Sequence, residues 1–147
     1  MSILKLVRYP VLLTIMASPL TGQTPAPVPL SLADSTSLMQ QGRSYTRWML
    51  QGKADSLVAV MTPEFLESMG GAAGVSDRLA MIAEHGGTET KVLAEKMTRR
   101  DGRPQFWHEG EFSAFVDEPL VFRIVFDEKG KVVGIGMGPK SQAQSDQ

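Results

Sequence analysis

LVFRIVFDEKGKVVGIGMG, residues 120–138, decides the fold. Two runs rich in β-branched and aromatic residues flank Glu128-Lys129-Gly130, a three-residue connection with Gly where a hairpin needs a left-handed residue. In the register this turn implies, Asp127 opposes Lys131. Leu120, Phe122, Ile124 and Phe126 then cover Gly138, Gly136, Gly134 and Val132. The other face sets Val121, Arg123 and Val125 against Val133, Ile135 and Met137. A sheet wet on one side alternates apolar with polar residues. Both faces of this hairpin read as apolar, so the second needs a cover: a helix, a partner subunit or a ligand.

Working back from the hairpin, residues 103–116 read as a long strand closed by Asp117-Glu118-Pro119. Residues 88–98 read as another strand, ended by the turn at Asp101-Gly102. Before residue 88 the period changes. Leu38, Gly42, Tyr45 and Met49 recur at helical spacing beside Trp48, with Ser31 and Asp34 at capping-box spacing before them. Gly52 suits the end of that helix, and Gly42 lets it approach the sheet. Ala54, Leu57, Val58 and Met61 form a second short apolar face. Thr62-Pro63-Glu64 restarts helix with a cap, a proline at the first position and an acid, aiming Phe65, Leu66 and Met69 inward until Gly70-Gly71. A further helix over 74–85 presents Val75, Leu79 and Ile82. Helices first and strands last in one small domain read as α+β: N-terminal helices packed on a curved four-stranded antiparallel sheet.

The 147 residues suit one domain. Residues 1–22 have the form of a signal peptide: Lys5 and Arg8 with no acid, an apolar run from Val11 to Met16, and small residues up to Gly22. The apolar run is shorter than the ~20 residues that span a bilayer, so the expectation is cleavage and no membrane span afterwards. Residues 23–34 follow as a Pro-rich linker with an extended spacer in TPAPVPL, 24–30. The domain is 35–139, and 140–147 read as a disordered tail. The address is then exported, periplasmic or extracellular. The whole chain has a net charge of −1, and losing Lys5 and Arg8 makes the remainder more acidic. That argues against nucleic acid, which needs a clustered basic face. There is no cysteine, which excludes disulfides, zinc-thiolate sites and Cys nucleophiles.

Few residues carry recognisable chemistry. His85 falls at a helix end beside Gly86, where a cation suits the dipole. His108 lies mid-strand on the face of Phe106, Phe112 and Ala114, where a general acid/base role is open to it. His108 and Glu109 are adjacent on a strand, so their side chains diverge, whereas Glu109 and Glu111 share a face about 7 Å apart. A solvated strand face accounts for that carboxylate pair, and no third ligand completes a metal site. No G-x-S-x-G occurs. The Gly-rich run 70–74 follows a helix rather than a strand, outside any phosphate-loop context. Tyr45, Trp48, Phe106, Phe112 and Phe122 pack a core or, in part, line an apolar cavity.

Three segments carry a resemblance: GRSYTRWMLQGKADSLVAVMTPEFLESMGG (42–71), the Gly-bounded helix after it, and FDEKGKVVGIGMGP (126–139). Together they resemble a bacterial exported domain of unknown function in the nuclear transport factor two-like (cystatin-like) superfamily. The match covers about residues 36–139. It implies helices folded across a strongly curved sheet with a pocket between them. It also implies a neighbouring serine-hydrolase or beta-lactamase-like domain, which here would be a separate exported hydrolase. It implies no activity, because the superfamily hosts enzymes and non-enzymes alike.

Two functions compete on this reading. One is a non-catalytic module binding a small apolar ligand or a partner protein, with Tyr45, Trp48, Phe106, His108 and Phe112 as ligand contacts, no cofactor and no metal, and a homodimer through the sheet. The other is an isomerase- or dehydratase-type enzyme with His108 as acid/base and Arg123 or a Glu as electrostatic helper. Polar groups converging on one pocket would favour the enzyme; the divergence of His108 from Glu109 and Glu111 favours the module.

Overall fold

The computed structural model describes residues 31–143. The expected leader, the linker residues 23–30 and residues 144–147 lie outside the described residues. Four helices come first: α1 (Leu32–Leu50), α2 (Ala54–Val58), α3 (Pro63–Ser68) and α4 (Gly71–Gly86). Four strands follow: β1 (Glu89–Arg100), β2 (Arg103–Phe112), β3 (Phe115–Phe126) and β4 (Val132–Pro139). The strands pair antiparallel in the order β1-β2-β3-β4. This is the α+β architecture read from the sequence, with helices packed on one face of a curved sheet.

Local chemistry sets the helix ends. The Ser31 hydroxyl accepts from Asp34 N at 3.1 Å, so α1 begins at Leu32, ahead of the domain boundary expected at 35. Gly52 ends it with φ +68°, a conformation that costs glycine little. Thr62 Oγ1 accepts from Phe65 N at 3.3 Å with Pro63 at the first turn of α3. Beside that cap, Thr62 N donates to Val132 O and Val132 N donates to Val60 O, at 3.0 and 2.9 Å. Residues 60–62 therefore cover the start of the β4 edge, a position otherwise open to unwanted pairing.

Gly42 lets α1 lie directly on the sheet: a Cβ there would overlap the Phe106 ring and stand 2.7 Å from Phe106 Cβ. The face beneath is aromatic. Phe106, Phe122 and Phe126 are fully buried, each contributing about 1.5–3 kcal/mol by leaving water. Tyr45 of α1, Leu57 of α2 and Leu79 of α4 close over them in one core.

Three expectations need correction. First, the β2–β3 turn is at Ser113-Ala114, not at Asp117-Glu118-Pro119. The pairing passes from Phe112↔Phe115 to Gly110↔Leu120, so Glu111 alone stands opposite residues 116–119. Pro119 falls inside that irregularity, where its missing N–H breaks no regular ladder bond. Ala114 is consequently an exposed turn residue rather than a neighbour of His108.

Second, the β3–β4 register begins as expected, with Asp127 N donating to Lys131 O at 2.9 Å and Phe126↔Val132, then slips by one. Val133 is the extra residue of a bulge, after which Val125↔Gly134, Ile124↔Ile135, Arg123↔Gly136 and Phe122↔Met137. A one-residue slip exchanges faces. Ile135 and Met137 now share the helix-facing side with Ile124 and Phe122, and the glycines pave the opposite side. The expected homodimer through the sheet rested on a second apolar hairpin face, and after the slip β4 contributes glycines rather than large apolar side chains to the face away from the helices.

Third, residues 140–147 are not a featureless tail throughout. Lys140–Gln142 form a 3-10 turn, held by Lys140 Nζ to Glu109 Oε1 at 2.7 Å and by Ser141 N donating to Glu118 Oε1 at 2.6 Å.

Candidate functional site

Between the helices and β4 lies a pocket of about 300 Å³, at the small end of ligand-binding cavities. Its wall is almost wholly apolar. Met49 and Leu57 come from α1 and α2, and Met61 from the bridge to Val132 before α3; Met69, Val75, Leu79 and Ile82 come from α3's end and α4; Ile135 and Met137 come from β4. Met81 and Met137 are among the exposed large hydrophobic residues, so methionine also forms the mouth. Methionine is unbranched and polarizable and fits irregular guests. Arg78 and His85 are the two polar residues of the lining. The Val133 bulge builds this wall, because without the slip Ile135 and Met137 would face the other way.

His108 belongs to a different cluster. It is 4% exposed and held between two carboxylates: Nδ1 lies 3.1 Å from Glu95 Oε1, and Nε2 lies 2.5 Å from Glu89 Oε1. Only the doubly protonated ring donates to both at once. Glu95 is the direct cross-strand partner of His108. Glu89 reaches it because two bulges in β1 bring Glu89 opposite Phe112, and because Gly110 has no side chain where a Cβ would overlap Glu89 Oε1. The chain continues outward through Arg43 of α1, whose Nε lies 2.6 Å from Glu95 Oε2. Burial raises the Glu95 carboxyl, but the hydrogen bonds and charges of Arg43 and His108 outweigh it and hold the group below the usual carboxylate value. The carboxylates address opposite ring nitrogens, so the three groups do not converge on one point as metal ligands would.

The structure separates the residues singled out from sequence. Tyr45 stacks on Trp48 with centroids 5.1 Å apart, and its phenol donates to Gln41 Oε1 at 3.3 Å. Phe106 lies under Gly42, and Phe112 packs on Phe122 at 5.6 Å. None of Tyr45, Trp48, Phe106, His108 or Phe112 belongs to the methionine-rich lining. Arg123 is opposite Trp107 while His108 is opposite Phe122, so Arg123 and His108 stand on opposite faces of the sheet. Glu109 is buried and pairs with Lys140, whereas Glu111 is exposed in the β2–β3 irregularity; the two do not act as a pair.

Sequence reasoning placed Met49, Met61, Met69 and Ile82 on apolar helix faces without joining them into a site, and dismissed His85 as a helix terminus. The available signal was the methionine count, nine in 147 residues. Glu95 was legible, because counting back from the Asp101-Gly102 turn sets it directly opposite His108 with no bulge between; Glu89 was not, because strand alternation alone does not register the two bulges before it. Comparison with protein-family models, with curated proteins and with solved structures gives no match to this chain.

Proposed function

We propose that this chain is a non-catalytic binding or accessory module that holds a small apolar ligand between its helices and its sheet. The observation that carries this reading is the methionine-rich pocket, whose lining offers shape and apolar contact and few polar groups. An acid/base enzyme needs polar groups converging within hydrogen-bond reach of one substrate position. His108 has its two nitrogens engaged by Glu89 and Glu95 and stands apart from that pocket, and Arg123 is across the sheet. The resemblance to the nuclear transport factor two-like superfamily supports this reading with its expected pocket between helices and a curved sheet, and adds an exported hydrolase as a partner class.

The test is binding of a neutral apolar fluorophore such as N-phenyl-1-naphthylamine. The protein is expected to bind it saturably, and Ile82→Trp, which fills the pocket from α4, is expected to abolish that binding while leaving the circular dichroism spectrum unchanged. Equal binding by the filled variant, or no binding by the parent protein, would sink the reading.

A further inference from the structure

The face of the sheet away from the helices is not a plain solvated surface. Gln105 and Val121 are fully buried on it, and Trp107 is 7% exposed, with Lys96 Nζ 5.0 Å from the centre of the indole ring. Beside them is a hollow of about 350 Å³ lined by Phe65, Arg100, Gln105, Arg123, Val125 and β4 residues 134–136. Its floor is backbone, since Gly134 and Gly136 present no side chains. The Arg123 guanidinium lies over that floor: a Cβ at Gly136 would stand 3.2 Å from Nη2 and 3.4 Å from Nε.

The charges in this hollow are one-sided. Two guanidiniums line it and no acid does. Neither Arg123 nor Arg100 forms an ion pair among the described residues. Arg123 Nη1 is buried and has no hydrogen-bond partner among the described residues, and the indole N–H of neighbouring Trp107 is in the same condition. Buried polar groups are nearly always satisfied, and an uncompensated buried charge is costly. A planar guanidinium with a free N–H best receives a carboxylate, which it can bind through two parallel hydrogen bonds.

We propose that this hollow is a binding site for a small organic acid. Its carboxylate pairs with Arg123, assisted by Arg100, and its body rests on Phe65 and Val125. The site is on the opposite side of the sheet from the methionine-rich pocket and stands whether or not that pocket binds a ligand. The bulge at Val133 creates it by turning glycines, rather than Ile135 and Met137, toward Arg123.

The experiment is a titration of the full ¹⁵N-labelled chain with benzoate, and separately with benzamide, its neutral isostere. Benzoate is expected to shift the Gly134 and Gly136 amides and the Trp107 indole N–H saturably in the millimolar range, and benzamide is not. Arg123→Met is expected to weaken benzoate binding about tenfold or more, as losing a charge-assisted hydrogen bond implies. Arg100→Gln, at the margin of the hollow, is expected to weaken it severalfold with an unperturbed spectrum elsewhere, and decides the matter if the Arg123 variant does not fold. No saturable shift at these three groups, equal shifts with benzamide, or unchanged benzoate affinity in the Arg100 variant would overturn the proposal.

Discussion

At Gly42 two opposed effects of one methyl group can be weighed. Alanine in a helix interior is favoured over glycine by about 1 kcal/mol. Here the added Cβ would overlap the ring of Phe106, a residue with no exposure. Overpacking of this kind costs about 1–3 kcal/mol, and because the Phe106 Cβ is itself among the atoms met, no rotamer change relieves it. Gly42→Ala is therefore expected to lower the urea midpoint; an unchanged or higher midpoint would show that α1 can lift off the sheet cheaply. Glu95 makes a pH-dependent contribution. Its folded carboxyl titrates below the usual value, so the unfolded chain binds the proton more readily. The stabilisation is present above the unfolded carboxyl value of about 4.3 and is lost as pH falls through the lower folded value. The difference in urea midpoint between the parent protein and Glu95→Gln should be largest near neutrality and shrink below about pH 4. A difference constant down to pH 3 would contradict the Arg43–Glu95–His108 linkage.

Among the elements, β4 carries the most structural information in the fewest residues. Its single extra residue, Val133, decides which face receives Ile135 and Met137 and which receives the glycines. Deleting Val133 removes the unpaired residue and leaves Phe126↔Val132, Val125↔Gly134, Ile124↔Ile135 and Phe122↔Met137 as a regular ladder, so Ile135 and Met137 keep the helix-facing side. The variant is expected to fold and to keep the binding of the neutral fluorophore, because both β4 walls of the pocket stay in place. Loss of that binding would mean that the strand re-registers when the bulge is removed. The residues 60–62 that pair with Val132 restrain this end of the edge, so the slip is expected to stay where it is.

The whole molecule is held without cysteine, and a one-layer sheet with helices on one side must stabilise itself by burial. The described residues contain no helix long and apolar enough to cross a membrane. We propose that residues 1–22 direct export and are removed, which places the domain in a compartment where a fold independent of disulfides is insensitive to redox state. Expression in a bacterial host followed by N-terminal sequencing of the extracytoplasmic protein should show cleavage near residues 17 to 23. An intact Met1 on a protein confined to the cytoplasm would refute it.

Periodicity and punctuation were enough to establish the α+β order, the caps at Ser31 and Thr62, the stop at Gly52 and the close approach at Gly42. Each of these depends on residues near one another in the chain and on the two backbone periods. The same local logic located the β3–β4 turn and its first pair, Phe126↔Val132. It did not reveal the bulges at Val133 and in β1, because a bulge changes no composition and is selected by what the shifted side chains meet on other elements. The β4 wall of the pocket, the Glu89–His108 contact and the glycine floor under Arg123 follow from those shifts, whereas Glu95 meets His108 in the regular part of the ladder. The pocket combines methionines from three helical segments with β4, Glu89 reaches His108 over Gly110, and Arg123 lies on a glycine floor. Such contacts join residues far apart in sequence, and only the tertiary structure brings them within bonding distance.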